Sequence, residues 1–279
     1  MFHITDTNRM ICPALDQYGL RACMSLSNID LGWRTNPDTD FVAAGVRSLI
    51  AELDVAARED RLIVFPQQVH AADVRLIEEE SILPLRGHFS YVPDCDGLVT
   101  DRSDVVIASQ YADCTPIVLV SKDRSVFGVV HSGWRGTLGR IASCAVRLIE
   151  TTYGIAPNQL VAFIWPAIAK DDFEVSLDVG EQFLAEFAGP EASDAGRSAS
   201  VLPSWMERRG EKYHIDTHCV NRLVLENLGV EVHLSGAYST FSDLRFHSHR
   251  RDKERAGRMV LVVTKAESEE SMSGLKALG

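Results

Sequence analysis

Runs of Val, Ile and Leu recur along this chain at 61–65, 73–77, 104–109, 116–121, 125–130, 159–164, 231–234 and 258–264. Inside a polar residue at one or both ends, several are apolar throughout. Successive side chains of a strand point to opposite faces, so a run that is apolar throughout predicts a strand covered on both sides. Between these runs lie helical patterns at 41–53, at 137–153 closed by Gly154, at 178–187 closed near Gly189 and Pro190, and at 217–228 closed by Gly229. Asp216 is placed to cap the last helix by accepting from its first free N–H groups.

The 279 residues contain no internal repeat or long linker, so one continuous domain is expected over residues 1–265. The Ala-, Ser- and Gly-rich interval 189–204 reads as a mobile surface loop, and 266–279 as a frayed tail. With 46% hydrophobic residues the chain can bury a substantial core, and its net charge of -11 argues against nucleic-acid or anionic-membrane partners. No apolar run approaches the roughly 20 residues needed to span a bilayer. The start, Met1 to Asp6, lacks the basic and apolar parts of a secretory signal, so a cytoplasmic location is expected.

The six cysteines are scattered without a C-x-x-C pair, which suggests neither a disulfide framework nor a zinc ribbon. Cys144 and Cys219 read as small core residues. Cys114 differs, because it follows Asp113 and precedes an apolar run. His131 ends another such run, ahead of the turn Ser132-Gly133-Trp134-Arg135-Gly136, and His70 follows Gln67-Gln68-Val69. Two imidazoles and a thiolate suit a transition metal, and three protein ligands leave a tetrahedral ion one open position, as catalytic sites require. The residues are nevertheless far apart in sequence. Taken singly, Cys114 reads as a buried hydrophobe and His70 as a surface histidine.

The turn after His131 can also be read in two ways. Its backbone N–H groups and the Arg135 guanidinium can hold an anion such as phosphate, although it is no Walker loop. Otherwise the glycines only form the turn, Trp134 packs, and Arg135 pairs with an acid. Asp113 can orient a ligand or act as an acid or base. Asp94, Asp96 and Asp101 around Gly97 lack calcium-loop spacing and read as a turn before a short strand. The His247-Ser248-His249-Arg250-Arg251 segment places two imidazoles on one side of an extended stretch, or exposes a basic segment.

Together these motifs resemble the laccase-domain family, also described as multicopper polyphenol oxidase or peptidoglycan editing factor proteins, which includes purine nucleoside phosphorylases with adenosine deaminase activity. The resemblance runs in order through Asn28-Ile29-Asp30-Leu31-Gly32, Gln68-Val69-His70, Asp96 to Asp101, Ala112-Asp113-Cys114, His131 to Gly136, and Arg250-Arg251-Asp252 with Gly257-Arg258-Met259. It implies an α+β fold of mixed β-sheets in a layered arrangement flanked by helices. It also makes His70, Cys114 and His131 the ligands of a metal, usually zinc. Relatives carry a Thr-Arg-x-Gly-Gly stretch near the N-terminus, where this chain has Gly19-Leu20-Arg21-Ala22-Cys23; Arg21 is the partial substitute as a phosphate or substrate contact. Trp165-Pro166 and then Asp171-Asp172 stand where relatives have a Gly-Pro turn and a cysteine pair.

The function implied is zinc-dependent phosphorolysis of purine nucleosides, with possible deamination of adenosine. Purine nucleosides and phosphate are then the partners, with Cys114, Asp113 and His131 as catalytic residues and Arg135, Arg21 and Gly133 lining the phosphate or substrate subsite. The oligomeric state is left open. Three alternatives stand beside this reading: a copper-dependent polyphenol oxidase, a metal-free Cys114–His131 hydrolase of peptidoglycan precursors, and a binding relative without turnover. A multicopper centre is poorly served by nine histidines with only one His-x-His pair.

Overall fold

In the computed structural model the described residues are 2–53, 61–85, 89–187, 202–236 and 238–266. Among them two large mixed sheets form the centre. The first has eight strands in the order His3–Ile4, Arg9–Ile11, Leu20–Ser25, Met259–Lys265, Val105–Tyr111, Leu62–Pro66, Phe89–Val92 and Leu83–Leu85. The second has six, in the order Glu231–Leu234, Leu160–Ile164, Thr115–Ser121, Phe127–Ser132, Gly97–Thr100 and Val74–Leu76. A small three-stranded sheet joins Glu174–Val175, Lys212–Ile215 and Met206–Arg209.

The alternation of side chains along each strand produces the layers. Val118 and Val120 of the second sheet pack with Ile107, Leu261 and Val263 of the first in one buried cluster. Their neighbours Ile117 and Leu119 point the opposite way, against Ala145, Val146 and Ile149 of the helix Ile141–Tyr153 and Leu225 of the helix Thr217–Asn227. On the far side of the first sheet, Val106, Ala108, Val260 and Val262 meet Val42, Val46 and Leu49 of the helix Thr39–Ala51. The resulting order is helix, sheet, sheet, helix. This is why the central strands carry no polar face. The expected α+β architecture of layered mixed sheets flanked by helices is the one observed.

Departures from the sequence reading have local causes. The helix expected over 137–153 is two, Trp134–Leu138 and Ile141–Tyr153, because Gly139 caps the first and Arg140 takes a left-handed conformation with φ 55°. The Arg140 guanidinium then pairs with Glu186. The segment around His247 is not extended throughout: His249–Asp252 forms a helical turn capped by Ser248. Cys144 and Cys219 are half-buried instead of fully enclosed. The stretch Asp94 to Asp101 is a turn followed by the short strand Gly97–Thr100. Most of the 189–204 interval and all but the first residue of 266–279 lie outside the described residues. No helix among the described residues is long and apolar enough to cross a membrane.

The Asp216 carboxylate accepts from the Cys219 N–H at 2.8 Å, as its position predicted. Asp216→Ala should lower stability by about 1 kcal/mol in urea unfolding monitored by circular dichroism; no change would mean that the cap is replaced by solvent.

Candidate metal centre and cavity

Strand register brings Cys114 and His131 together. Thr115 pairs with Ser132 and Pro116 with His131, so Cys114 sits one residue beyond the end of the pairing, beside Gly133. His70 arrives from a different sheet, on the turn that follows Leu62–Pro66. Gln68 anchors that turn: its side-chain N–H donates to the carbonyl of Gln110 at 2.8 Å, and its oxygen accepts from the Gln110 N–H at 3.2 Å. The donor atoms of His70, Cys114 and His131 lie within 4.8 Å of one another. The two imidazole rings meet edge to face, with centroids 4.9 Å apart.

Asp96, which the sequence presented only as part of a turn, holds this arrangement in place. Its carboxylate is fully buried and accepts from the N–H groups of Val69 at 3.1 Å, His70 at 3.0 Å and Ala71 at 2.8 Å. The same group meets Nδ1 of His131 at 2.8 Å. Burial works against a charged carboxylate here, but the hydrogen bonds from His131 and the backbone outweigh it and hold Asp96 below its ordinary range. One carboxylate therefore folds the His70 turn, in which His70 itself has φ 62°, and fixes the orientation of His131. With Nδ1 occupied by Asp96, Nε2 of His131 is the nitrogen left for an ion.

The thiol and imidazole also perturb each other. Burial alone would raise the Cys114 pKa; the charge of His131 and hydrogen bonds from His131 and His70 reverse that effect and lower it to about 6. Burial disfavours the charged His131 ring, but the Cys114 thiolate and Asp96 raise it to about 9. Both shifts act in the same direction, toward thiolate and imidazolium, when no ion is bound.

The residues present fit a metal ion. A soft sulfur and two imidazole nitrogens converge, the second-sphere carboxylate is in place, and the backbone beside them is cut back to hydrogen. A Cβ at Gly133 would lie 3.2 Å from the Cys114 sulfur and 3.3 Å from the His70 ring, so this glycine keeps the space open. His70, Cys114 and His131 are the residues that would hold the ion, which when bound supplies Lewis acidity to whatever occupies the cavity.

That cavity has a volume of about 880 Å³, within the range typical of small-molecule sites. Trp33, Phe65 and Tyr91 form an aromatic part of its wall, and Asp113, Trp134 and Arg135 lie near the ligand cluster. Asp113 adopts φ 89° and is nearly buried; one of its oxygens accepts from the Thr240 hydroxyl and the other from the Arg250 N–H, both at 2.6 Å. It ties the Cys114 turn to the C-terminal segment. Arg135 has no carboxylate partner among the described residues; its guanidinium lies 4.2 Å from the Trp134 ring centroid. Behind the turn, Ser132, Thr137 and Asn221 form a buried network, with the Ser132 and Thr137 hydroxyls 2.9 Å apart.

Other candidate residues are placed elsewhere. Arg21 lies on Leu20–Ser25, pairs with Asp16 at 2.8 Å, and does not line the cavity. Asp171 pairs with Arg209 and Asp172 accepts from Ser239, while the adjacent Phe173 reaches the cavity wall. Arg251 spans the carbonyls of Thr240, Phe241 and Phe246 and pairs with Asp252, so it braces the loop. Sequence patterns gave no signal for Trp33, Arg34 or Lys253, which also line the cavity.

Residues 20–266 match the family described as multi-copper polyphenol oxidoreductase laccase, and the chain belongs to that family. It is 34% identical over 209 residues to the purine nucleoside phosphorylase YlmD of Geobacillus stearothermophilus, covering 72% of this chain and 71% of that protein. It is also 34% identical over 169 residues to adenosine deaminase RL5 of an unknown prokaryotic organism, covering 60% of each. The crystal structure of YlmD from Geobacillus stearothermophilus superposes with a TM-score of 0.79 at 29% identity, covering 95% of this chain and 99% of that one.

Two outcomes follow from this geometry. In metal-stripped protein, iodoacetamide labelling of Cys114, followed by peptide mass spectrometry, should rise through a midpoint at about 6, since only the thiolate reacts. A midpoint near that of a free thiol would show that the ion pair does not form. Asp96→Asn, which loses the charge and half of the acceptor capacity, should weaken metal affinity by roughly ten- to a hundredfold in chelator competition.

Proposed function

We propose that this protein is a zinc-dependent purine nucleoside phosphorylase. Convergence of the His70, Cys114 and His131 donors beside an unpaired arginine in a partly aromatic cavity carries the reading. The name of the relative YlmD supports it. Tetrahedral coordination by two imidazoles and one thiolate suits zinc and leaves a position facing the cavity. Copper of the mononuclear thiolate type most often takes a weak axial thioether, and no methionine is among the described residues of the cavity wall.

In this reading the purine lies against the Trp33, Phe65 and Tyr91 side of the cavity, where ring stacking favours a flat heterocycle. Arg135 holds the attacking phosphate through charge-assisted hydrogen bonds, and the indole under its guanidinium limits the conformations it must give up on binding. The ribose C1′–N9 bond breaks, a C1′–O bond to hydrogen phosphate forms, and the proton which that phosphate loses goes to the departing base. Asp113, with both oxygens engaged, positions Cys114 through its turn. Asp96 keeps Nδ1 of His131 engaged and its Nε2 turned toward the ion, which supports His131 as a ligand and not as a proton donor to the base.

The resemblance to adenosine deaminase RL5 keeps hydrolytic deamination as a second activity of the same cavity. Incubation of metal-quantified protein with adenosine or inosine, with and without phosphate, distinguishes the products by mass. Phosphate-dependent release of adenine or hypoxanthine with ribose 1-phosphate is expected; inosine formed from adenosine without phosphate marks deamination. Cys114→Ala and His131→Ala should each reduce zinc content and turnover by roughly a hundredfold or more. Full activity after exhaustive chelation would instead point to a metal-free thiolate mechanism.

A further inference from the structure

The cavity wall carries more positive charge than one phosphate ion neutralises. Arg34, Arg135, Arg250, Lys253 and Arg258 all line it, and the single carboxylate among the described lining residues, Asp113, which accepts from the Thr240 hydroxyl and the Arg250 backbone N–H, offsets only one of these charges. A phosphate group carries roughly -1.5 to -2 at neutral pH. The rest of the protein is acidic, with a net charge of -11, so this concentration of cations is a local feature and not a property of the whole surface.

The cations fall into two groups. Arg135 stands on the short helix after His131, next to the metal ligands. Arg34 and Lys253 stand on two loops at the other end of the fold's connectivity, and those loops are linked through Arg258: its N–H donates to Asp30 at 2.8 Å and its carbonyl accepts from the Leu31 N–H at 3.0 Å. Arg250 and Arg258 direct guanidinium N–H groups to backbone carbonyls, at Glu174 and at Ala256 and Gly257. The Arg34 and Lys253 side chains have no hydrogen-bond or ion-pair partner among the described residues. Lys253 also has φ 53° and ψ -126°, a conformation that L residues adopt at a cost of about 1–3 kcal/mol. The fold maintains that strain at a cavity-lining position.

We propose that the preferred occupant of this cavity is a purine nucleoside 5′-phosphate, whose 5′-phosphate is held by Arg34 and Lys253 while Arg135 serves the second anion. The inference rests on the nucleoside reading above and extends its substrate class. A 5′-phosphate offers a doubly charged group at the end of the ribose opposite the base, and two cations on linked loops match it in charge. The volume of about 880 Å³ leaves room for a nucleotide and a separate phosphate ion.

Calorimetric titration of the whole protein with adenosine, adenosine 5′-monophosphate and ribose 5-phosphate tests this directly. The monophosphate should bind at least about tenfold more tightly than adenosine and more tightly than ribose 5-phosphate. In the Arg34→Ala/Lys253→Ala double variant, the ratio of monophosphate to adenosine affinity should fall to about one. Equal affinities in the unaltered protein, an unchanged ratio in the variant, or equal binding of ribose 5-phosphate would each overturn the proposal. Phosphorolysis of adenosine is measured on the same preparation. Adenosine turnover without monophosphate preference refutes this inference alone, whereas no binding of any purine ligand refutes the nucleoside reading as well.

Discussion

The candidate site depends on a buried carboxylate. Asp96 lies between the two sheets' contributions to the cavity, and its oxygens gather three backbone N–H groups from the His70 turn and the Nδ1 of His131. A buried acid of this kind is costly when unpaired and strongly orienting when every lone pair has a donor. Here it couples a histidine in a left-handed turn to a histidine at a strand end. The three candidate ligands are consequently presented as a preformed set, with little rearrangement left for an ion to drive.

The apolar strands were legible because burial on both faces writes itself into composition. Residues 116–121 and 159–164 read as strands from sequence and occur as Thr115–Ser121 and Leu160–Ile164, adjacent in the second sheet. The short strands Arg9–Ile11 and Met206–Arg209 were not read, since three or four residues of mixed polarity carry no such imprint. At the site, His70, Cys114 and His131 stood out by residue type. Asp96 did not, because three of its partners are backbone N–H groups that every residue but proline offers, and nothing in sequence reports where they point. Arg34 and Lys253 were equally hidden: an arginine and a lysine in loops become notable only when the fold turns them toward one volume.

The layered architecture also explains why the cavity differs electrically from the rest of the chain. Phe65, Tyr91, Gln110 and His131 reach it from strands, whereas Arg34, Arg135, Arg250, Lys253 and Arg258 reach it from turns, loops and short helices, with Asp113 the one carboxylate among the described lining residues. Fields are focused under those conditions, and an anionic ligand is attracted before any specific contact is made. The aromatic side of the same cavity, with Trp33, Phe65 and Tyr91, offers flat apolar surface instead. Charge and flatness are thus offered by different elements of one cavity.

The strand Met259–Lys265 lies between Leu20–Ser25 and Val105–Tyr111, pairing with both. During synthesis the first sheet therefore remains divided, with two open edges, until this late segment emerges from the ribosome. The three candidate ligands precede, in sequence, the strand that joins the sheet beside them, which makes the docking of Met259–Lys265, and not the arrival of an ion, the event that completes the first sheet.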